Sequence, residues 1–270
     1  MRHPGSTALR GSEHAPLVWI TGASSGIGQA LAQEYARAGW RLALVARRAT
    51  LIEDWARAQG LDATRCRVWA VDLRDIDAHA RAAAECIAEL GLPDVVIANA
   101  GVSVGIDTAD RADLDVMRET LEVNLLGVAA TFHPFVAPMR ARRSGTLVAL
   151  ASVAAARGLP GHGAYCASKA GVVAYCESLR VECRAHGVRV LTLLPGFVAT
   201  PLTARNRFAM PFLLSAPQFA QRARRAIAAG RAYRVIPWPM AIVTRLLRAL
   251  PVAWYDRLIE RRGRKRRRGE

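Results

Sequence analysis

Tyr165 and Lys169 stand four residues apart in the segment Tyr165-Cys166-Ala167-Ser168-Lys169. On a helix that spacing puts a phenol and an amine on one face, with Cβ atoms about 5–6 Å apart. Composition sharpens the pair: of 38 basic residues, 36 are arginine and two are lysine, Lys169 and Lys265. Arginine is the default cation here, so a retained lysine suggests a compact charge able to pass on a proton, which a guanidinium cannot do. An ammonium beside a phenol favours the phenolate and moves a group with a pKa near 10 towards use as an acid/base near neutrality. Lowering it by ~3 units takes roughly 4 kcal/mol of differential stabilisation, more than one lysine supplies, and a cationic cofactor ring would add the rest. Taken alone, the pair also reads as an ordinary helical pairing.

A second cluster is Thr21-Gly22-Ala23-Ser24-Ser25-Gly26-Ile27-Gly28, set between the apolar run Leu17-Val18-Trp19-Ile20 and the helically periodic stretch 29–36. Strand, glycine turn and helix in that order let the backbone turn sharply and let a pyrophosphate approach a helix N-terminus, where free N–H groups and the dipole favour anions. The spacing Gly-x3-Gly-x-Gly differs from the commoner Gly-x-Gly-x2-Gly fingerprint.

The elements that must position these groups follow from the apolar pattern. Runs at 17–21, 42–46, 68–71, 95–98, 146–150 and 188–194 alternate with helical stretches rich in Ala, Glu, Arg and Leu. Continuous apolar runs suit strands buried on both faces, and their alternation with helices predicts an α/β fold: a Rossmann-type doubly wound parallel sheet in three layers, α/β/α. A ligand then belongs at the carboxyl ends of the strands near a topological switch point, where the motifs fall. At 270 residues, with no internal repeat or mid-chain linker, one domain is expected over 16–236, after a flexible leader at 1–15 and before a C-terminal extension at 237–270.

Together these residues closely resemble the short-chain dehydrogenase/reductase family, over about residues 16–236. The resemblance also rests on Val71-Asp72-Leu73, Asn99-Ala100-Gly101, Asn124, Ser152 thirteen residues before Tyr165, and Pro195-Gly196 followed by Val198 and Thr200. It implies Tyr165 as catalytic acid/base, with Lys169 as its pKa-lowering partner and anchor of the nicotinamide ribose. Ser152 would hold the substrate oxygen, and Asn124 would order a water linking Lys169 to solvent. Gly22, Ser24, Ser25, Gly26, Ile27 and Gly28 would cradle the pyrophosphate, and Asp72 with Leu73 would flank the adenine. Asn99, Ala100 and Gly101 would line the cleft, and the stretch from Pro195 and Gly196 through Val198 to Thr200 would cover the nicotinamide amide. Two positions depart from the family pattern: Ala98 where many members carry asparagine, and Ala151 where a second serine is common. Neither removes a group the chemistry needs. Singly, Asp72 reads as a cap for the helix beginning near Asp75, Asn124 as one more polar residue of a long helix, and Ser152 as a strand-end hydroxyl in a local turn.

An NAD(H) site places an acid some 20 residues after the glycines to accept from the ribose 2′-hydroxyl. Here Ala46 stands at that place, followed by Arg47 and Arg48, which suit a 2′-phosphate and predict NADP(H) over NAD(H). The stretch 197–219, with Phe208, Met210, Phe212, Leu213 and Leu214 and with Arg205 and Arg207 at its rim, reads as an apolar substrate lid or as gap-filling. As a lid it implies a hydrophobic small-molecule carbonyl or alcohol. The chain also resembles lipid- and steroid-acting members of the family, 3-ketosphinganine reductases among them. The alternative is a catalytically weak, cofactor-binding regulatory or membrane-surface protein, against which an intact acid/base set argues.

The net charge of +16 is uneven: residues 1–220 carry +4 and residues 221–270 carry +12. In the tail, Ile242, Val243, Leu246, Leu247 and Leu250 share a helical face, and Trp254, Tyr255, Leu258 and Ile259 repeat the pattern against Asp256, Arg257, Glu260 and Arg261 before Arg264-Lys265-Arg266-Arg267-Arg268. Neither stretch approaches the ~20 apolar residues that span a bilayer. Three readings stay open: a tail resting on an anionic membrane surface, one packed on the domain or across a homo-oligomer interface, and nucleic-acid binding, which the lack of a recognition module disfavours. No secretory signal is expected, and the five cysteines lack metal spacing, so reduced thiols of a cytoplasmic protein are expected and no metal site.

Overall fold

The structure, a computed structural model, describes residues 15–204, 206, 208–260 and 263–269. The leader apart from Ala15, the lid-rim Arg205 and Arg207, and Arg261 lie outside the described residues. The chain runs β1 (Leu17–Thr21), α1 (Gly26–Arg37), β2 (Arg41–Ala46), α2 (Ala49–Ala58), β3 (Cys66–Ala70), α3 (Ile76–Leu90), β4 (Val95–Ala98), α4 (Asp113–Leu121), α5 (Gly127–Arg142), β5 (Gly145–Leu150) and α6 (Gly163–Arg184). It continues through β6 (Val188–Pro195), β7 (Val198–Ala199), β8 (Leu214–Ser215), α7 (Ala216–Ala228), β9 (Tyr233–Ile236), α8 (Pro239–Ala249) and α9 (Val252–Glu260).

Seven strands form one parallel sheet in the order β3-β2-β1-β4-β5-β6-β9. All six apolar runs are strands of it, as the doubly wound reading requires. Successive strand residues enter opposite cores. Val18, Ile20, Leu42, Leu44 and Ile97 pack with α1, α2 and α7, whereas Leu17, Trp19, Ala43, Val45 and Val96 pack with α3, α5 and α6. Helices on both faces explain why the strands are apolar without alternation. The edge strand β9 was not singled out from the pattern because only Val235 and Ile236 of its four residues are buried. The order turns at β1, which pairs with β2 on one side and β4 on the other, so a crevice opens at their carboxyl ends.

Local chemistry sets the helix ends. Asp75 accepts from Ala78 N at 2.8 Å and caps α3, so the cap is Asp75 and not Asp72. Ser215 and Gln218 form a reciprocal capping box at α7. The final residues of the expected lid, from Ala216, belong to that helix, and Phe219 is fully buried in the core beneath it. All five cysteines are buried and unpaired, and burial pushes the Cys66, Cys86 and Cys176 thiols up to about 12. No helix among the described residues is long and apolar enough to cross a membrane, and no metal-ligating cluster occurs among them.

The α3/α5 side of the core holds a buried histidine. His79 is 0% exposed, meets Trp19 edge-on at 5.6 Å between ring centroids, and has no hydrogen-bond partner on either ring nitrogen. Burial pulls its pKa down to about 4, because a charged imidazole there would be desolvated and unpaired. Above pH ~6.5 neither state binds this proton. Between ~6.5 and ~4 the unfolded chain binds it and the native protein does not, so native stability falls with pH by up to about 3 kcal/mol. Urea midpoints measured from pH ~7 down to ~4.5 are expected to fall more steeply for the wild type than for His79→Leu; parallel slopes would contradict this assignment.

Candidate active site

Lys169 lies on α6, only 3% exposed, and its Nζ donates to the carbonyl oxygen of Leu150, the last residue of β5, at 2.8 Å. One turn earlier Tyr165 presents its ring with the ammonium 5.9 Å from the ring centroid. Burial pulls the Lys169 pKa down to about 8. Desolvation raises that of Tyr165, the Ser152 hydroxyl opposing it. Within the protein alone the balance therefore opposes the lowering expected from a neighbouring lysine: the ammonium is directed at the Leu150 carbonyl, and the phenol's desolvation dominates. A positive charge bound beside the phenol would act in the opposite direction and favour its phenolate.

Ser152 follows β5 by two residues and is buried, its Oγ accepting from Ala154 N at 3.1 Å to cap a single 3-10 turn, Val153–Ala155. The local-turn reading and the placement beside Tyr165 thus both hold. Asn124 is fully buried within a π-helical turn, Glu122–Leu126, between α4 and α5. Such single-turn insertions re-aim one side chain without ending the helix. Its Oδ1 accepts from Val102 N at 2.8 Å, and its Nδ2 donates to Val102 O at 2.9 Å and to Ser168 Oγ at 3.1 Å. Ser168 in turn donates to the Tyr165 carbonyl at 2.8 Å. Asn124 therefore ties the loop after β4 to the turn of α6 that carries Tyr165 and Lys169, which no generic helical asparagine does.

The glycine turn is held from the same side. Asn99 Nδ2 donates to Thr21 O at 2.9 Å and Gly22 O at 3.3 Å, and its backbone N–H donates to Thr21 Oγ1 at 3.1 Å. Gly22 adopts φ +69°, and a Cβ there would stand 2.7 Å from Ala100 Cα. At Gly28 a Cβ would collide with the Gly22 carbonyl and lie 2.6 Å from Asn99 Nδ2. The helix that follows has no acid in its first turn, and Ser25 at its N-cap makes no side-chain cap hydrogen bond. These features fit an anion at the N-terminus of α1, such as a dinucleotide pyrophosphate. Arg48 reaches over the turn, donating to Ser24 Oγ and Ser25 Oγ at 3.3 Å each. Asp72 is gripped by Arg74 at 2.6 Å and lies 3.9 Å from Arg47, and the Arg74 hydrogen bond holds its carboxyl below the usual range.

These groups line one cleft of about 270 Å³. It is bordered by Gly22, Ser24, Ser25, Gly26, Ile27, Arg47, Arg48, Asp72, Leu73, Asn99, Ala100, Gly101, Ser152, Tyr165, Lys169, Pro195, Gly196, Val198 and Thr200. Gly28 and Asn124 stand behind its wall as spacer and brace. Unanticipated lining comes from Val123 and Leu150, whose types signal nothing by themselves. A second cavity of about 160 Å³, mostly apolar, shares Ser152, Tyr165, Gly196, Leu202 and Thr203 with the first. Phe208 of the expected lid lines it, whereas Phe212 and Leu213 are exposed. Part of its wall comes from the C-terminal extension: Met240, Val243, Leu247, Tyr255 and Lys265. Sequence reading placed none of these at the site; the signal available was Lys265, the second lysine in an arginine-rich chain.

The extension folds back on the domain. Arg157 stacks 4.0 Å over the Tyr255 ring and donates to Leu247 O and Leu250 O, and Tyr255 donates to Gly158 O. The terminal arginines are engaged by acids: Arg264 by Asp107, Arg267 by Asp110 and Asp113, Arg268 by Glu119. Three of the five basic residues of this run are thus paired with acids on the protein itself.

The short chain dehydrogenase profile matches residues 16–210. The chain belongs to the short-chain dehydrogenase family. An uncharacterized oxidoreductase of Myxococcus xanthus is 39% identical over 240 residues, covering 88% of this chain and 93% of that one. Among solved structures, an alcohol dehydrogenase from Thermococcus sibiricus complexed with 5-hydroxy-NADP superposes with TM-score 0.72 at 26% identity, covering 83% of this chain and 96% of that one. A family member from Burkholderia phymatum in complex with NAD gives TM-score 0.77 at 25% identity, covering 93% and 97%. As a short-chain dehydrogenase the chain is assigned to the oxidoreductases. The residues that carried the resemblance lie in or directly behind the strand-end cleft.

Proposed function

We propose that this chain is an NADP(H)-dependent oxidoreductase that interconverts a carbonyl and an alcohol on an apolar small molecule, with Tyr165 as acid/base. The observation that carries the reading is the position of Tyr165 and Ser152 in both cavities, between a cleft that opens on the N-terminus of α1 and an apolar chamber. A reduced nicotinamide, when bound, supplies the hydride. In the reducing direction Tyr165 gives its proton to the carbonyl oxygen while the Ser152 hydroxyl donates a hydrogen bond to the developing charge. Lys169 steadies the phenolate left behind, and Asn124 braces the turn that presents both and orders the water that returns the proton. Tyr165, Ser152 and Lys169 line the cleft that would hold the nicotinamide, whose oxidised ring would add positive charge beside the phenol.

The end of β2 supports the NADP(H) reading. Ala46 is buried and offers no acceptor, while Arg48 lies over the Ser24 and Ser25 hydroxyls with Arg47 beside Asp72, a pair of guanidinium groups suited to a 2′-phosphate. The catalytically weak binding-protein alternative is disfavoured because binding alone requires no brace such as Asn124 on an acid/base pair.

Two surfaces bear on partners. Leu114, Met117, Leu121, Leu125 and Leu126 form an open apolar groove along α4 and α5, suited to a second copy of the chain. The outward side of α8 and α9 exposes Trp238, Ile242, Leu246, Trp254 and Leu258 near Arg245, Arg248 and Arg257, a pattern suited to an anionic membrane surface on a cytoplasmic face.

Titration with NADPH and NADH, followed by oxidation of the bound cofactor with apolar aldehydes and ketones, tests the main reading. NADPH is expected to bind ~10–100-fold more tightly, and the Arg47→Ala/Arg48→Ala double variant to lose most of that margin with little change for NADH. Preferential NADH binding would overturn the assignment, and tight binding without turnover of any carbonyl would favour the alternative. Light scattering above the monomer mass of 29.2 kDa and pelleting with anionic but not zwitterionic vesicles are the expected partner results; a monomer indifferent to both would remove these proposals.

A further inference from the structure

The lining of the apolar chamber includes a cation, Lys265. It is brought there by the terminal segment, whose Arg266 O accepts from Gly105 N at 2.7 Å. Gly105 and Gly161 let that segment approach closely: a Cβ at the first would collide with the Lys265 carbonyl, and one at the second would stand 3.0 Å from Lys265 N. The ion pairs of Arg264, Arg267 and Arg268 fasten the segment on either side.

Lys265 differs from those arginines. Its Nζ donates to Asn206 Oδ1 at 2.7 Å, a neutral acceptor, and no carboxylate partners it among the described residues. Burial lowers its pKa with no acid opposing the shift. Arg157, the other cation of the chamber, is taken up by the Tyr255 ring and two carbonyls. A half-buried ammonium on the wall of an apolar cavity, with one neutral partner, keeps part of its desolvation uncompensated, which an anionic ligand group offsets.

We propose that Lys265 anchors a carboxylate at the far end of the substrate, so that the preferred substrate class is an apolar carbonyl compound or alcohol carrying a terminal carboxylate. A single ammonium matches a singly charged group, and the apolar walls accommodate the carbon chain between it and Tyr165. This rests on the carbonyl and alcohol reading above, but its test does not require turnover.

The full chain, saturated with NADP(H) so that the anion site at α1 is filled, is titrated calorimetrically with hexanoate, octanoate and decanoate and with the alcohols of the same lengths. The wild type is expected to prefer the carboxylate ~10-fold or more, Lys265→Met to lose that preference, and Lys265→Arg to retain part of it. Methionine keeps the apolar stem and arginine keeps the charge, so a packing defect alone predicts equal losses for carboxylate and alcohol. No preference in the wild type, or a preference that survives Lys265→Met, would overturn the proposal. A failure of the reductase reading would appear separately, as absent carbonyl turnover with the carboxylate preference intact.

Discussion

The hydrogen bond from Lys169 Nζ to the Leu150 carbonyl ties the site to the sheet. A nearly buried ammonium needs an acceptor, and the end of β5 supplies one; the bond thereby sets the height of α6 over the strand. That height decides where Tyr165 lies, one turn away, relative to Ser152, two residues beyond the same strand. Asn124 completes the constraint from the other side by holding both the loop after β4 and Ser168. The reactive groups are therefore positioned by backbone carbonyls and buried amides rather than by one another.

The sheet makes this precision affordable. Its strands are buried on both faces, so their register is fixed by two cores, and their carboxyl ends form a rigid rim. The glycine turn, Asn99, Ser152 and Pro195 all stand on that rim. The apolar chamber is built differently: Phe208, α8, α9 and the terminal segment line it, held by ion pairs and ring contacts. The exposed Arg264–Asp107 pair is of the kind that contributes little and weakens with salt, whereas Arg267 reaches the buried Asp113.

Much of this was legible from residue types and spacing. The strands were legible because burial on two faces demands unbroken apolar runs, and the Tyr165, Lys169 and Ser152 cluster because its spacing matches one helix and the strand before it. Taken singly, Asp72 read as the cap of the helix that begins near Asp75, and only geometry shows that the carboxylate meeting Ala78 N is that of Asp75. The π-turn around Asn124 left no mark, because it changes hydrogen bonding without changing composition. Tyr255 and Lys265 were not placed at the site because they reach the chamber through contacts spanning 97 and 59 residues of chain. The expected lowering of the Tyr165 pKa overlooked that burial near the lysine desolvates the phenol as well.

The central claim is that Tyr165 delivers the proton in a reaction for which the rest of the site is a scaffold. Rapid mixing of NADPH-loaded protein with an apolar aldehyde, following a single turnover in wild type and in Tyr165→Phe, tests this most directly. The account predicts a fast phase in the wild type that slows by ~100-fold or more in the variant, with NADPH affinity nearly unchanged. Equal rates in the two proteins would contradict it.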